Sequence, residues 1–176
     1  MKQVIYKVSM ALSAALILVS LVGCTTSFGK RQAFREYVSS FKSDEITMES
    51  FTITANEFNN VRDYKTLLSL VNTEIGYLDE LVKSAEKRNA SISDPEIKDM
   101  DDSYLQALKD IKSAYKLMYE GIDENDEKKM DLGVKQTESC LVNVKDYANK
   151  MHKFAEKYNM GGDEEFEKLE DMLNSL

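Results

Sequence analysis

Few side chains in this sequence could do covalent or metal chemistry: one histidine, His152, and two cysteines, Cys24 and Cys140, in 176 residues. An imidazole ligand needs partners that converge with it. The residue three before His152 is Asn149, so the Glu-x-x-His pair of di-metal helical bundles is missing. Met151 and Met160 offer thioethers, but on a helix they lie about two and a half turns apart and do not converge. Cys140 follows Glu138 and Ser139, with no cation beside it to stabilise a thiolate, so a buried, inert thiol is expected there. The acidic run Asp123-Glu124-Asn125-Asp126-Glu127 resembles a calcium loop only at its start. Lys128 stands where the loop needs glycine, and Val134 where it needs the bidentate glutamate. Acids at a helix start, favoured by the macrodipole, account for it better. Asp99, Asp101 and Asp102 read the same way, as an exposed first stretch of helix, although Asp101 falls on the seam position, near the helix end where polar residues are tolerated. No glycine-rich phosphate loop and no Gly-x-Ser-x-Gly elbow occurs. The expectation is a protein that is not an enzyme and needs neither metal nor cofactor.

Cys24 has a different context. Lys2 and Lys7 precede an apolar stretch, Val8 to Val22, interrupted only by Ser9, Ser13 and Ser20. A positive segment followed by an apolar one of this length has the layout of an export signal, and it falls short of the roughly 20 apolar residues of a spanning helix. The stretch ends in Leu21-Val22-Gly23-Cys24, which resembles the lipobox of bacterial lipoprotein precursors. The resemblance covers the first 24 residues only. It implies diacylglyceryl transfer to the Cys24 thiol, acylation of the palmitate type, and cleavage between Gly23 and Cys24. The mature protein would then be held on the extracytoplasmic face of the cell membrane by Cys24. Two acyl chains give stable anchoring where one gives marginal binding. Only Thr25 to Gly29 separate Cys24 from the first helical pattern, a tether of at most about 20 Å. Lys30, Arg31 and Arg35 fall at the membrane-proximal end, where each basic side chain contributes about 1 kcal/mol against anionic headgroups.

The expected organisation is therefore a signal over 1–23, lipidated Cys24 with a short tether over 24–29, and one domain over 30–176. The whole chain carries a formal charge of −8, and loss of residues 1–23, with two lysines and no acid, leaves −10. A surface so acidic argues against nucleic acid as partner. With Cys24 committed to lipid, Cys140 has no partner for an internal disulfide. One proline, Pro95, and no tryptophan in a Glu/Lys/Leu-rich chain favour helix. Lys outnumbers Arg and Asn is plentiful, an association with Gram-positive bacteria of AT-rich genome.

Helical periodicity dominates the rest. Val61, Tyr64, Leu68, Val71, Ile75, Leu78, Val82 and Ala85 make a seam over 61–88, with Leu67 and Leu81 widening it. Ile97, Tyr104, Leu108, Ile111, Tyr115 and Met118 do so over 94–121, started by Ser93 or Asp94 as cap and Pro95 in the first turn. Met130, Val134, Thr137, Leu141, Val144, Ala148, Met151 and Ala155 mark 125–158, with Gly161-Gly162 as its stop. A short amphipathic piece follows over 163–173. Over 30–58, Phe34, Val38, Phe41, Met48, Ala55 and Phe58 keep helical spacing despite Ser39-Ser40 and Thr52-Ile53-Thr54. Asn59-Asn60 is either a turn, with Asn60 capping the next helix, or part of one helix running from about 45 to 88; matched segment lengths favour the turn. Segments 30–58, 61–88 and 94–121 are then of matched length, roughly 42 Å each, and 125–158 is slightly longer. They predict an all-α fold: an antiparallel, up-down-up-down four-helix bundle with a short C-terminal helix, preceded by a cleaved signal helix. The tyrosines should be core or core-rim, their hydroxyls turned to water.

The function expected from these features is a membrane-anchored, extracytoplasmic, non-enzymatic binding or interaction module of the cell envelope. Its partners would be the bilayer, through acylated Cys24, and an envelope protein. The alternatives are a carrier for a small apolar ligand, or an exclusion or immunity lipoprotein of phage or conjugation.

Overall fold

The computed structural model describes residues 29–158, apart from the side chains of Arg35, Asn59 and Glu138. The signal, Cys24, the stop at Gly161-Gly162 and the short helix at 163–173 lie outside the described residues. All regular structure among the described residues is helical: α1 (Lys30–Ser39), a 3-10 turn (Ser40–Asp44), α2 (Glu45–Glu57), a second 3-10 turn (Phe58–Asn60), α3 (Tyr64–Ser91), α4 (Pro95–Asp123) and α5 (Glu127–Lys157). None of these helices is long and apolar enough to cross a membrane.

An aspartate begins each long helix. Asp63 accepts from the Thr66 N–H at 2.8 Å, Asp94 from Glu96 and Ile97 at 3.0 and 3.3 Å, and Asp126 from Lys128 and Lys129 at 2.9 and 3.2 Å. Each carboxylate satisfies N–H groups that the first turn leaves free. The cap of α3 is therefore Asp63 and not Asn60: the chain continues as a 3-10 turn through Asn60, and Val61 is extended. The acidic run at 123–127 is a tight turn with Asn125 at φ 54°, a left-handed conformation that Asn tolerates. There Lys129 meets Glu120 and Glu124.

The serines that weaken helix propensity over 30–58 act locally. Ser40 Oγ donates to the Tyr37 carbonyl at 2.5 Å and Ser43 Oγ to that of Ser40 at 3.0 Å. Such side-chain bonds compete with the i to i+4 ladder, and the first segment divides into α1 and α2 around the 3-10 turn.

α3 packs along α4, and α4 along α5. Arg88, Glu86 and Asp79 on α3 meet Asp101, Lys109 and Lys112 on α4 in descending against ascending order. On α5, Lys157, Lys150 and Lys129 meet Glu96, Asp99 and Glu120 on α4. Thr47 on α2 donates to Glu80 on α3, and Phe34 on α1 stacks on Phe154 of α5 at 5.1 Å between centroids.

The predicted seams are the buried faces, rotated slightly. Leu67 and Cys140 are fully buried where Leu68 and Leu141 are only half-buried, and Tyr64, in the first turn of α3, is exposed. The expectation of exposure for Asp101 fails: it is completely buried, as is Glu74, and Arg88 is buried as well. The tyrosine expectation also fails in part. Tyr37, Tyr104, Tyr115 and Tyr147 are buried whole, and the Tyr104 and Tyr115 hydroxyls have no hydrogen-bond partner.

Candidate functional site

The polar interior concentrates at the end of the fold where α1 begins and α3 turns into α4. Arg88, one turn from the end of α3, donates from Nε to Asp101 Oδ1 at 3.0 Å and from Nη1 to Asp44 Oδ2 at 3.2 Å. Asp44 comes from the 3-10 turn and also accepts from Ser43 and Ser84. One arginine thus joins three elements of the chain. Its guanidinium lies over the rings of Phe41, Tyr104 and Tyr37, at 3.8, 5.0 and 5.8 Å from their centroids. A weakly hydrated, planar cation suits such a position. Burial opposes the charge on Arg88, but Asp101 and the surrounding acceptors outweigh it and hold the guanidinium above its usual affinity for protons. Around it Tyr37 and Tyr147 approach hydroxyl to hydroxyl at 3.3 Å, and burial pushes both phenols above their ordinary range.

Next to this cluster is a pocket of about 170 Å³, lined by Ala33, Glu36, Tyr37 and Ser40 on one side and by Arg88, Ser91, Ile92, Ser93, Asp94 and Ile97 on the other. Its wall is mixed: Ala33, Ile92 and Ile97 stand beside the acids Glu36 and Asp94, Arg88 and three serines. The pocket is open to solvent on one side and is roomier than a single water site.

The basic residues at the start of α1 are held within the protein. Lys30 Nζ lies 2.6 Å from Asp94 and 3.3 Å from Glu96, which raises its affinity for the proton. Arg31 Nε donates to the Tyr158 carbonyl at 2.7 Å. Glu96 also takes Lys157 and the Tyr158 hydroxyl, which bring its carboxyl down to about 2. Arg35 lies in the same helix.

The other sequence candidates stand apart from this site. His152 is half-exposed on α5 and meets Glu156 at 3.3 Å. Cys140 is buried, its thiol directed to the Gln136 carbonyl at 3.0 Å, and desolvation pushes it up to about 12. Among the described residues no three His, Cys, Asp or Glu side chains converge as a metal site would require.

Sequence reasoning missed Arg88 and Asp44. Arg88 follows Ala85 by three and Leu81 by seven, so it occupies a seam position. A charge on an apolar stripe, with Asp101 on the facing stripe, is the signal that could have found the pair.

Compared with family models, with curated proteins and with solved structures, the chain matches none.

Proposed function

We propose that this chain is a lipid-anchored, extracytoplasmic binding module of the cell envelope, without enzymatic activity. The observation that carries the reading is the pocket beside the buried Arg88 cluster, at the end of the domain from which the tether leaves. Gly29 and Lys30 lie beside the α3–α4 turn through the Lys30–Asp94 pair, and the lipobox-like Leu21-Val22-Gly23-Cys24 stands just upstream. In this reading the rods formed by 30–60, α3, α4 and α5 make an up-down-up-down bundle standing on the bilayer. The acidic turn at 123–127 is then at the far end of α4, about 42 Å from Asp94 by helical rise, directed away from an anionic surface. Contact of Arg31 and Arg35 with headgroups adds to the anchor, and Lys30 joins them by exchanging Asp94 and Glu96 for lipid phosphate. The mixed wall, with Glu36 and the serines beside Ala33, Ile92 and Ile97, suits a small ligand with both polar and apolar surface.

Two measurements test this. Cys24→Ser should no longer incorporate palmitate and should not be processed after Gly23. Unchanged mass and normal membrane retention of that variant would refute the anchor. Native mass spectra of the protein extracted from membranes should show a small adduct that Ala33→Trp, which fills the pocket, removes. The same spectrum from both proteins would refute the binding site.

A further inference from the structure

Glu74 is the least explained residue of the interior. It sits in the middle of α3, none of its surface is exposed, and neither carboxyl oxygen has a hydrogen-bond partner. On α4 the Tyr115 hydroxyl is equally buried and equally unpartnered, and the field of Glu74 reaches it. Phe51 of α2 packs on the Tyr115 ring at 6.3 Å between centroids. The register set by Thr47 against Glu80, continued by about two turns, brings buried Thr54 to the level of Glu74. The acid therefore lies at the seam where α2 meets α3 and α4.

No cation compensates it there. From α4 the facing titratable group is Tyr115. From α2 the facing residues are Phe51, Thr54 and Ala55, while Glu49 and Glu57 are exposed. The buried face of α5 at this level, Val134 and Thr137, is uncharged. An isolated carboxylate in such surroundings is far costlier than a neutral acid, and Glu74 keeps its proton up to about 9 through desolvation alone.

We propose that Glu74 is a proton-operated latch: protonated, it lets α2 lie against α3 and α4, and ionised it forces that seam open. The sign follows from linkage. The unfolded or opened chain releases this proton near the ordinary glutamate value and the closed fold does not. Stability is therefore greatest below the ordinary value and declines as pH rises toward the folded one. Carboxylates held low, such as Glu96 and Asp146, have finished ionising below this window, and Cys140 ionises above it. His152 is on α5, beside Glu156, many turns from Glu74 along the bundle.

The test is the unfolding of the full chain in detergent at pH 5, 6, 7 and 8, with Glu74→Gln, Glu74→Leu and a His152→Gln control. The wild-type folding constant should fall close to tenfold per pH unit across this interval, with the same slope in the His152 control. Glu74→Gln and Glu74→Leu should be nearly flat, and either one suffices if the other does not fold. Amide exchange in α2, corrected for its intrinsic pH dependence, should accelerate with pH in the wild type and not in the variants. The infrared band of a protonated carboxyl should be present at pH 7 and vanish with Glu74→Gln. A flat wild-type profile, a slope that survives in both Glu74 variants, exchange in α2 indifferent to pH, or no such band would overturn the proposal.

Discussion

The Arg88 guanidinium stands 3.8 Å from the centre of the Phe41 ring, so the end of α3 is stacked on the 3-10 turn between α1 and α2. The same group holds Asp44 from that turn and Asp101 from α4. Removing one partner of a buried ionic cluster leaves the others desolvated and uncompensated. Arg88→Met should therefore destabilise the fold by about 3–5 kcal/mol, read as a drop in the denaturant midpoint at unchanged slope. Asp101→Asn keeps an acceptor for Nε and leaves Asp44 as counter-ion, so its loss should be clearly smaller. Equal losses would mean the cluster has no role beyond local packing.

The helices were legible in the sequence because an apolar stripe and an aspartate cap are local signals, as at Asp94-Pro95 and along Ile97 to Met118. The buried polar groups were not, because their meaning depends on what faces them. Asp101 on its own helix looks like a solvated acid near an N-terminus. Only the approach of Arg88, thirteen residues earlier, makes it an interior ion pair. Glu74 interrupts its stripe with no such partner, so the stripe alone places it inside without giving a reason. The pocket was illegible for a related cause: its lining comes from α1 and the turn after it and from the segment joining α3 to α4, which only tertiary contacts such as Lys30–Asp94 bring together.

Cys140 should resist thiol reagents in the native protein and react stoichiometrically after denaturation. Burial and the thiol's contact with the Gln136 carbonyl both withhold the thiolate, and its value of about 12 leaves almost none at neutral pH. Rapid labelling of the native chain would show that α5 opens from α4 around this residue.

Glycines give opposite outcomes on two helices. A Cβ at Gly133 of α5 would lie 2.7 Å from Met118 Cγ and 2.8 Å from the Ala114 carbonyl of α4. Backbone cannot yield as a flexible side chain can, so Gly133→Ala should cost about 1–3 kcal/mol by overpacking. At Gly76 of α3 nothing lies within 4 Å of the added atom. Gly76→Ala should instead stabilise by roughly 0.5–1 kcal/mol, from helix propensity. Thermal midpoints of the two variants check both signs, and a loss at Gly76 would mean that its exposed face is covered.

The register between the first rod and α3 is open to a distance test. A tight turn at Asn59-Asn60 would set Phe41 beside Ile75 or Leu78, as equal helical rise on both sides requires. Phe41 instead lies against Arg88, and Thr47 Oγ1 lies 3.2 Å from Glu80 Oε2. Two features shift the pairing. The connection extends through Asp63 before α3 begins, and the 3-10 turns rise about 2.0 Å per residue against 1.5 Å in α-helix, which lengthens the first rod. Cysteines at Thr47 and Glu80, in a Cys140→Ala background, should crosslink rapidly with a short bifunctional reagent. Cysteines at Phe41 and Leu78 should crosslink poorly, since Leu78 is ten residues from Arg88, about 15 Å along α3. The reverse order of rates would restore the tight turn, and would take Asp44 away from Arg88. The two variants share a background and a reagent, so the ratio of their rates reads the register directly.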